Sequence, residues 1–152
     1  MTTVINSYFV SIKAAPETVF AYVSDLSRHP EWSGAHLTVQ ELAPGPVAVG
    51  KEYISHGDVA NQKDRPNQLY VTEYQPSTSF AFIAKDPDFG DVPHTFSFIP
   101  QADGTLLDRT VVLTLSPVTA FLYRFLIRPL IGKPLMDKSL AALKAKLEAG
   151  VS

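Results

Sequence analysis

Apolar and polar positions alternate from residue 3 to 13, with Tyr8, Val10 and Ile12 on one side and Ser7, Ser11 and Lys13 on the other. That period predicts a half-buried strand. Ala15-Pro16-Glu17 then reads as a helix start, because proline suits the first turn and an acid there complements the helix dipole. Val19, Phe20 and Val23 give this short helix its apolar face, and Asp25 to Trp32 predicts a second short helical turn. Strands are predicted at 36–43, 50–57, 67–75, 79–85, 93–100 and 105–116, separated by Pro44-Gly45-Pro46, Arg65-Pro66-Asn67, Pro76-Ser77, Asp86 to Asp91, and Asp103-Gly104. His94, Phe96 and Phe98 share one strand face; Leu107, Arg109, Val111, Leu113 and Leu115 share another. The spacing predicts an antiparallel meander.

The period then changes. Met136, Leu140, Leu143 and Leu147 form a helical stripe, followed by Gly150 as a stop. Residues 118–130 also read as helical, with apolar rows Phe121/Phe125, Leu122/Leu126 and Tyr123/Ile127 beside Arg124/Arg128. Three apolar rows of four exceed what a surface helix needs for one core face. Pro129 and Pro134 are expected to bend or break the path between the two halves. With no repeat, linker or low-complexity tract, residues 1–152 read as one α+β domain.

Composition narrows the classes of function. The chain is 45% hydrophobic and 18% charged with a net charge of −2, which suits a globular core and lacks the basic footprint of a nucleic-acid binder. There is no cysteine, so disulfides, thiolate metal sites and thiol nucleophiles are excluded. The opening residues carry no signal-peptide pattern, and a cytoplasmic location is expected. The longest apolar run, Phe121 to Ile131, is interrupted by Arg124, Arg128 and Pro129 and is too short to span a bilayer. His29, His36 and His56 lack metal-ligand spacing, and no phosphate loop or serine elbow is present, so neither metal nor cofactor is expected.

The order of one strand, two short helices, six strands and a long final helix resembles the START-like helix-grip (SRPBCC) superfamily, and within it the polyketide cyclase/dehydrase and lipid-transport family. The resemblance rests on Ile12-x-Ala14-Ala15-Pro16-Glu17-x-Val19-Phe20, Arg28-His29-Pro30-Glu31-Trp32, Val49-Gly50, Val71-Thr72-Glu73-Tyr74-x-Pro76, Gly104-Thr105 and Leu140-x-x-Leu143-Lys144-x-x-Leu147-Glu148. These are markers of fold rather than of a reaction. The resemblance implies a curved seven-stranded antiparallel sheet wrapped around the C-terminal helix, enclosing a cavity for a small hydrophobic ligand such as a lipid, polyketide or isoprenoid. Family members carry, sense, cyclise or dehydrate such molecules; others act as regulatory or chaperone-activator modules.

The residues expected to contact the ligand are Trp32, Tyr70, Tyr74, His94, Phe96, Phe98, Arg109, Phe121 and Phe125. His94 and Arg109 are the candidates for any catalysis. His94 among aromatic residues could orient a ligand or exchange a proton, or be a strand-end histidine satisfied by backbone or water. Arg109 on an apolar face needs a partner, which is either a ligand oxyanion or a protein carboxylate such as Asp58 or Asp108; adjacency turns Asp108 to the opposite face. Tyr70, Thr72 and Tyr74 share a strand face and present hydroxyls, whether to a ligand or to solvent. Trp32 is cavity wall, lid or plain packing. The 118–130 segment is read as the front half of the gripped helix, with a transient membrane contact or a second subunit as the alternative. A monomer and a homodimer both fit.

Overall fold

The computed structural model describes residues 1–59 and 62–150. Among these residues, seven strands form one antiparallel sheet: β1 (Thr2–Ile12), β2 (Leu37–Glu41), β3 (Glu52–Val59), β4 (Gln62–Gln75), β5 (Ser79–Asp86), β6 (Gly90–Gln101) and β7 (Gly104–Leu115). Their spatial order is β1-β7-β6-β5-β4-β3-β2. Helix α1 (Pro16–Ser24) and a 3-10 turn (Leu26–Glu31) follow β1. After β7 a helical path runs through α2 (Pro117–Leu122), a π-helical stretch (Tyr123–Gly132) and α3 (Lys133–Glu148). This is the expected helix-grip architecture.

Two expected breaks differ. Strand β4 begins five residues early and runs through Arg65-Pro66-Asn67. Pro66 pairs with His56 on one side, while pairing to β5 starts only at Gln68, so no ladder hydrogen bond on that side needs its missing N–H. Nor does the C-terminal path break. Lys133 donates its backbone N–H to the Arg128 carbonyl, five residues back, and Gly132 and Lys133 keep right-handed helical dihedrals. The wider π turns accommodate Pro129, and Pro134 sits in the first turn of α3, where a missing N–H costs nothing.

The core fills one end of the grip completely. Phe20 of α1 packs edge-on against Phe98 and Tyr74, with ring centroids 5.1 and 5.2 Å apart. Leu140, Leu143 and Leu147 of α3 join the same buried cluster as Phe80, Phe82, Phe96 and Leu107. Local tethers seat the helices. The Asp25 carboxylate accepts from the Ser27 N–H at 3.2 Å, Thr105 donates to the Ala14 carbonyl at 2.8 Å, and Lys144 donates to the Ser11 carbonyl at 2.7 Å. At the other end, Ser139 of α3 donates to the Trp32 carbonyl at 3.1 Å and holds the segment after the 3-10 turn against the helix. Gly34 is required there, since a Cβ would lie 2.7 Å from the Leu135 carbonyl oxygen.

Candidate functional site

Beyond the filled core, a cavity of about 340 Å³ lies between the sheet and the start of α3. That is at the low end for small-molecule sites, which span about 300–1,000 Å³. The sheet contributes Tyr8, Ser55, Gly57, Asp58, Asn67, His94, Arg109 and Val111. The segment from His29 to Leu37 closes one side; Tyr123, Gly132, Leu135, Met136 and Ser139 close the other.

Alternation places Arg109 here. On β7 the inward residues are Thr105, Leu107, Arg109, Val111 and Leu115. Register puts Arg109 opposite Tyr8 of β1 and Phe96 of β6, midway along β7. Only 5% of Arg109 is exposed, and its Nε has no hydrogen-bond partner. Its guanidinium lies over the Phe96 and Trp32 rings, 5.2 and 5.7 Å from their centroids. One terminal nitrogen is 3.4 Å from His94 Nδ1. A guanidinium can only donate, so Nδ1 accepts and the His94 proton sits on Nε2. Neither carboxylate considered from the sequence reaches Arg109. Asp58 lies at the cavity edge but accepts from Lys63 and from the Asp64 N–H, both at 3.1 Å, and these bonds hold its carboxyl below the usual range. Asp108 lies opposite Ser97 and is hydrogen-bonded by Thr110.

Burial lowers the Arg109 pKa from 12.5 to about 10. That shift corresponds to roughly 3 kcal/mol of unfavourable solvation for the cation, which nonetheless persists at neutral pH. Two imidazoles respond to it. Burial, reinforced by the charge of Arg109, pushes His29 down to about 3. The same two causes, with His29 as a third, hold His94 well below its ordinary value. Both rings are stacked, His29 on Trp32 at 4.1 Å and His94 on Phe82 at 4.6 Å, so their remaining accessible surface faces the cavity. At neutral pH the Arg109 end of the site therefore presents its cation, the neutral imidazoles of His29 and His94, and the Tyr8 and Tyr123 hydroxyls, while His36 and the Lys63-paired Asp58 line the other part of the cavity. Burial, with Tyr8 alongside, raises Tyr123 to about 12, so it stays a neutral donor.

Of the nine residues expected to touch ligand, His94 and Arg109 line this cavity. Phe96 and Phe98 share their face, as the alternation implied, but are 1% and 3% exposed and packed into the filled end. Trp32 is 1% exposed, behind His29, with an unpartnered Nε1. Tyr70 and Tyr74 do not share a face. A bulge between Val71 and Glu73 shifts the alternation, leaving Tyr70 on the outer surface and turning Tyr74 toward Phe20. Phe121 and Phe125 contact each other at 4.9 Å but are 62% and 59% exposed. They do not pack on the sheet: Ala120 is the buried residue of α2, and the π-helical stretch that carries Phe125 contributes none. His29, Tyr8 and Tyr123 were missed as site residues. Tyr8 was legible as inward-facing; what brings His29 and Tyr123 beside it is tertiary. Among the described residues, no three His, Asp or Glu side chains converge in a way that could hold a metal ion.

The profile of the family described as polyketide cyclase / dehydrase and lipid transport matches residues 3–148. No curated protein matches in sequence. Solved structures agree in fold. The KanY protein superposes with a TM-score of 0.74 at 21% identity, covering 97% of this chain and 99% of its own. Norcoclaurine synthase from Thalictrum flavum, bound to dopamine and hydroxybenzaldehyde, gives 0.72 at 14% identity over 99% and 90%. The di-domain ARO/CYC StfQ from the steffimycin biosynthetic pathway gives 0.71 at 14% identity over 98% of this chain and 53% of its own. The chain belongs to the polyketide cyclase/dehydrase and lipid transport family.

Proposed function

For this member of the family, we propose binding or carriage of a small hydrophobic molecule that bears one oxyanion, a carboxylate, phenolate or enolate, held against Arg109. Family membership supports a hydrophobic ligand or a cyclase role. The observation that carries the finer reading is the 5% exposed guanidinium at the cavity, with an orphaned Nε and, among the described residues, no ion pair to a carboxylate. A buried cation without an anion is costly, and an arriving oxyanion recovers that cost through charge-assisted bonds. Leu37, Val111, Leu135 and Met136 provide an apolar seat for the rest of the molecule.

A cyclase reading has one specific support: Arg109 could stabilise an enolate while Tyr8 or Tyr123 donates a proton. Against it stands His94, whose strongly lowered pKa makes it a poor base. Binding is the stronger reading.

Calorimetric titration with 2-naphthoate and its methyl ester tests it. The acid is expected to bind at least roughly tenfold tighter than the ester, the scale of one charge-assisted bond. Arg109→Met should erase that preference, and Arg109→Lys should retain part of it. Equal affinity for acid and ester in the unmodified protein would sink the oxyanion assignment. Native mass spectrometry of protein from its own host gives the class of the natural ligand directly.

A further inference from the structure

The helical path before α3 carries an apolar surface that the cavity does not use. Val118, Phe121, Leu122, Phe125, Leu126 and Leu130 are 42–72% exposed, and Ile127, Ile131 and Leu135 extend the patch. A contiguous patch of this kind marks a contact surface. Its charge selects the partner. From Pro117 to Met136 the chain holds Arg124, Arg128 and Lys133 and no acid, in a protein of net charge −2. Arg124 is exposed, Arg128 lies over the Tyr8 ring 5.3 Å from its centroid, and Lys133 pairs with Asp137 at 2.6 Å. A second copy docked here about a two-fold axis would set this cationic face against itself with little acid to answer it. An anionic bilayer supplies both requirements, acyl chains for the phenylalanines and phosphate for the arginine. Among the described residues no helix is long and apolar enough to cross a membrane, so the contact lies in the interface plane.

We propose that residues 118–135 are a docking face for an anionic phospholipid surface, seated so that the cavity opens at the bilayer. Tyr123, Gly132 and Leu135 belong both to this segment and to the cavity wall. An apolar molecule leaving the acyl region would then reach Arg109 without crossing bulk water. The π-helical stretch, with Pro129 inside it, touches the sheet side through Tyr123 and Arg128 and buries no residue fully, so Phe125, Leu126 and Leu130 are left facing outward.

Flotation with vesicles of phosphatidylcholine alone, and of phosphatidylcholine with phosphatidylglycerol at about 7:3, tests this. Binding is expected to the anionic vesicles only, and to weaken with salt. Phe121→Ser/Phe125→Ser should abolish it, and Arg124→Glu should weaken it by at least roughly fivefold, both with unchanged thermal melting. Arg109→Met should float as well as the unmodified protein, so failure of the oxyanion reading leaves this result standing. Absent vesicle binding, or a double serine variant that floats normally, overturns the proposal. A dimer in sedimentation that the serine variant dissociates, without flotation, would put a second copy on this face and also overturn it.

Discussion

Burial, with the Arg109 charge beside it, keeps His29 and His94 neutral, and that has a measurable consequence for stability. An unfolded histidine binds its proton near pH 6.5, whereas folded His29 does so only near 3. Throughout that interval the unfolded chain holds more protons, so stability is full above 6.5 and falls as pH drops through it. At pH 5 the His29 imidazole should account for about 2 kcal/mol of lost stability, and His94 adds to the decline in the same direction. The carboxylates whose pKa values are lowered, Asp58, Asp86, Glu31 and Glu148, act only below the ordinary carboxylate range and leave this window to the histidines. Urea midpoints at pH 7 and 5 check the sign, and His94→Gln should make the decline shallower.

Among the elements, the two ends of the grip differ in what their aromatic residues do. Phe20 on α1 is 4% exposed between Phe98 and Tyr74, so Phe20→Ala should cost about 3–5 kcal/mol in chemical denaturation. Phe125 on the π-helical stretch is 59% exposed, and Phe125→Ser should change stability by less than about 0.5 kcal/mol. The contrast separates a phenylalanine that holds the fold from one free to meet something outside it. Helical periodicity alone could not tell them apart, since it shows how many rows are apolar and not which of them the sheet covers. The sheet shows a similar limit. Alternation grouped the residues that share a face on β1, β6 and β7, but the bulge between Val71 and Glu73 put Tyr70 and Tyr74 on different sides of β4.

Considered whole, the molecule is a filled core at one end and a chargeable cavity at the other, joined through Trp32. That indole is buried and stacked on His29, and the Trp32 backbone carbonyl accepts from the Ser139 hydroxyl of α3. Ligand binding should therefore register in two global readouts. A carboxylate at about a hundred times its dissociation constant should add about 2.7 kcal/mol to stability. The emission of the sole tryptophan should shift in parallel, and in Arg109→Met neither change should appear. Scanning calorimetry and fluorescence on the same samples check both.

By itself the sequence determined the element order and which residues share a strand face, because periods of two and 3.6 and the turn residues are local properties of the chain. The helix-grip architecture followed from the resemblance that this order carries, and which strand face looks inward was left to the packing. Tertiary structure alone decided which inward residues meet empty space. Phe96 and Phe98 share the strand face of His94, yet Phe20 packs on Phe98, and Trp32 and the Arg109 guanidinium cover Phe96, while His94 borders the cavity. The lack of a carboxylate partner for Arg109 was likewise undecidable from the chain, since it depends on Asp58 being taken by Lys63 and the Asp64 N–H. Exposure of Phe121 and Phe125 follows from where the helical path leaves the sheet, a distance that no one-dimensional pattern encodes.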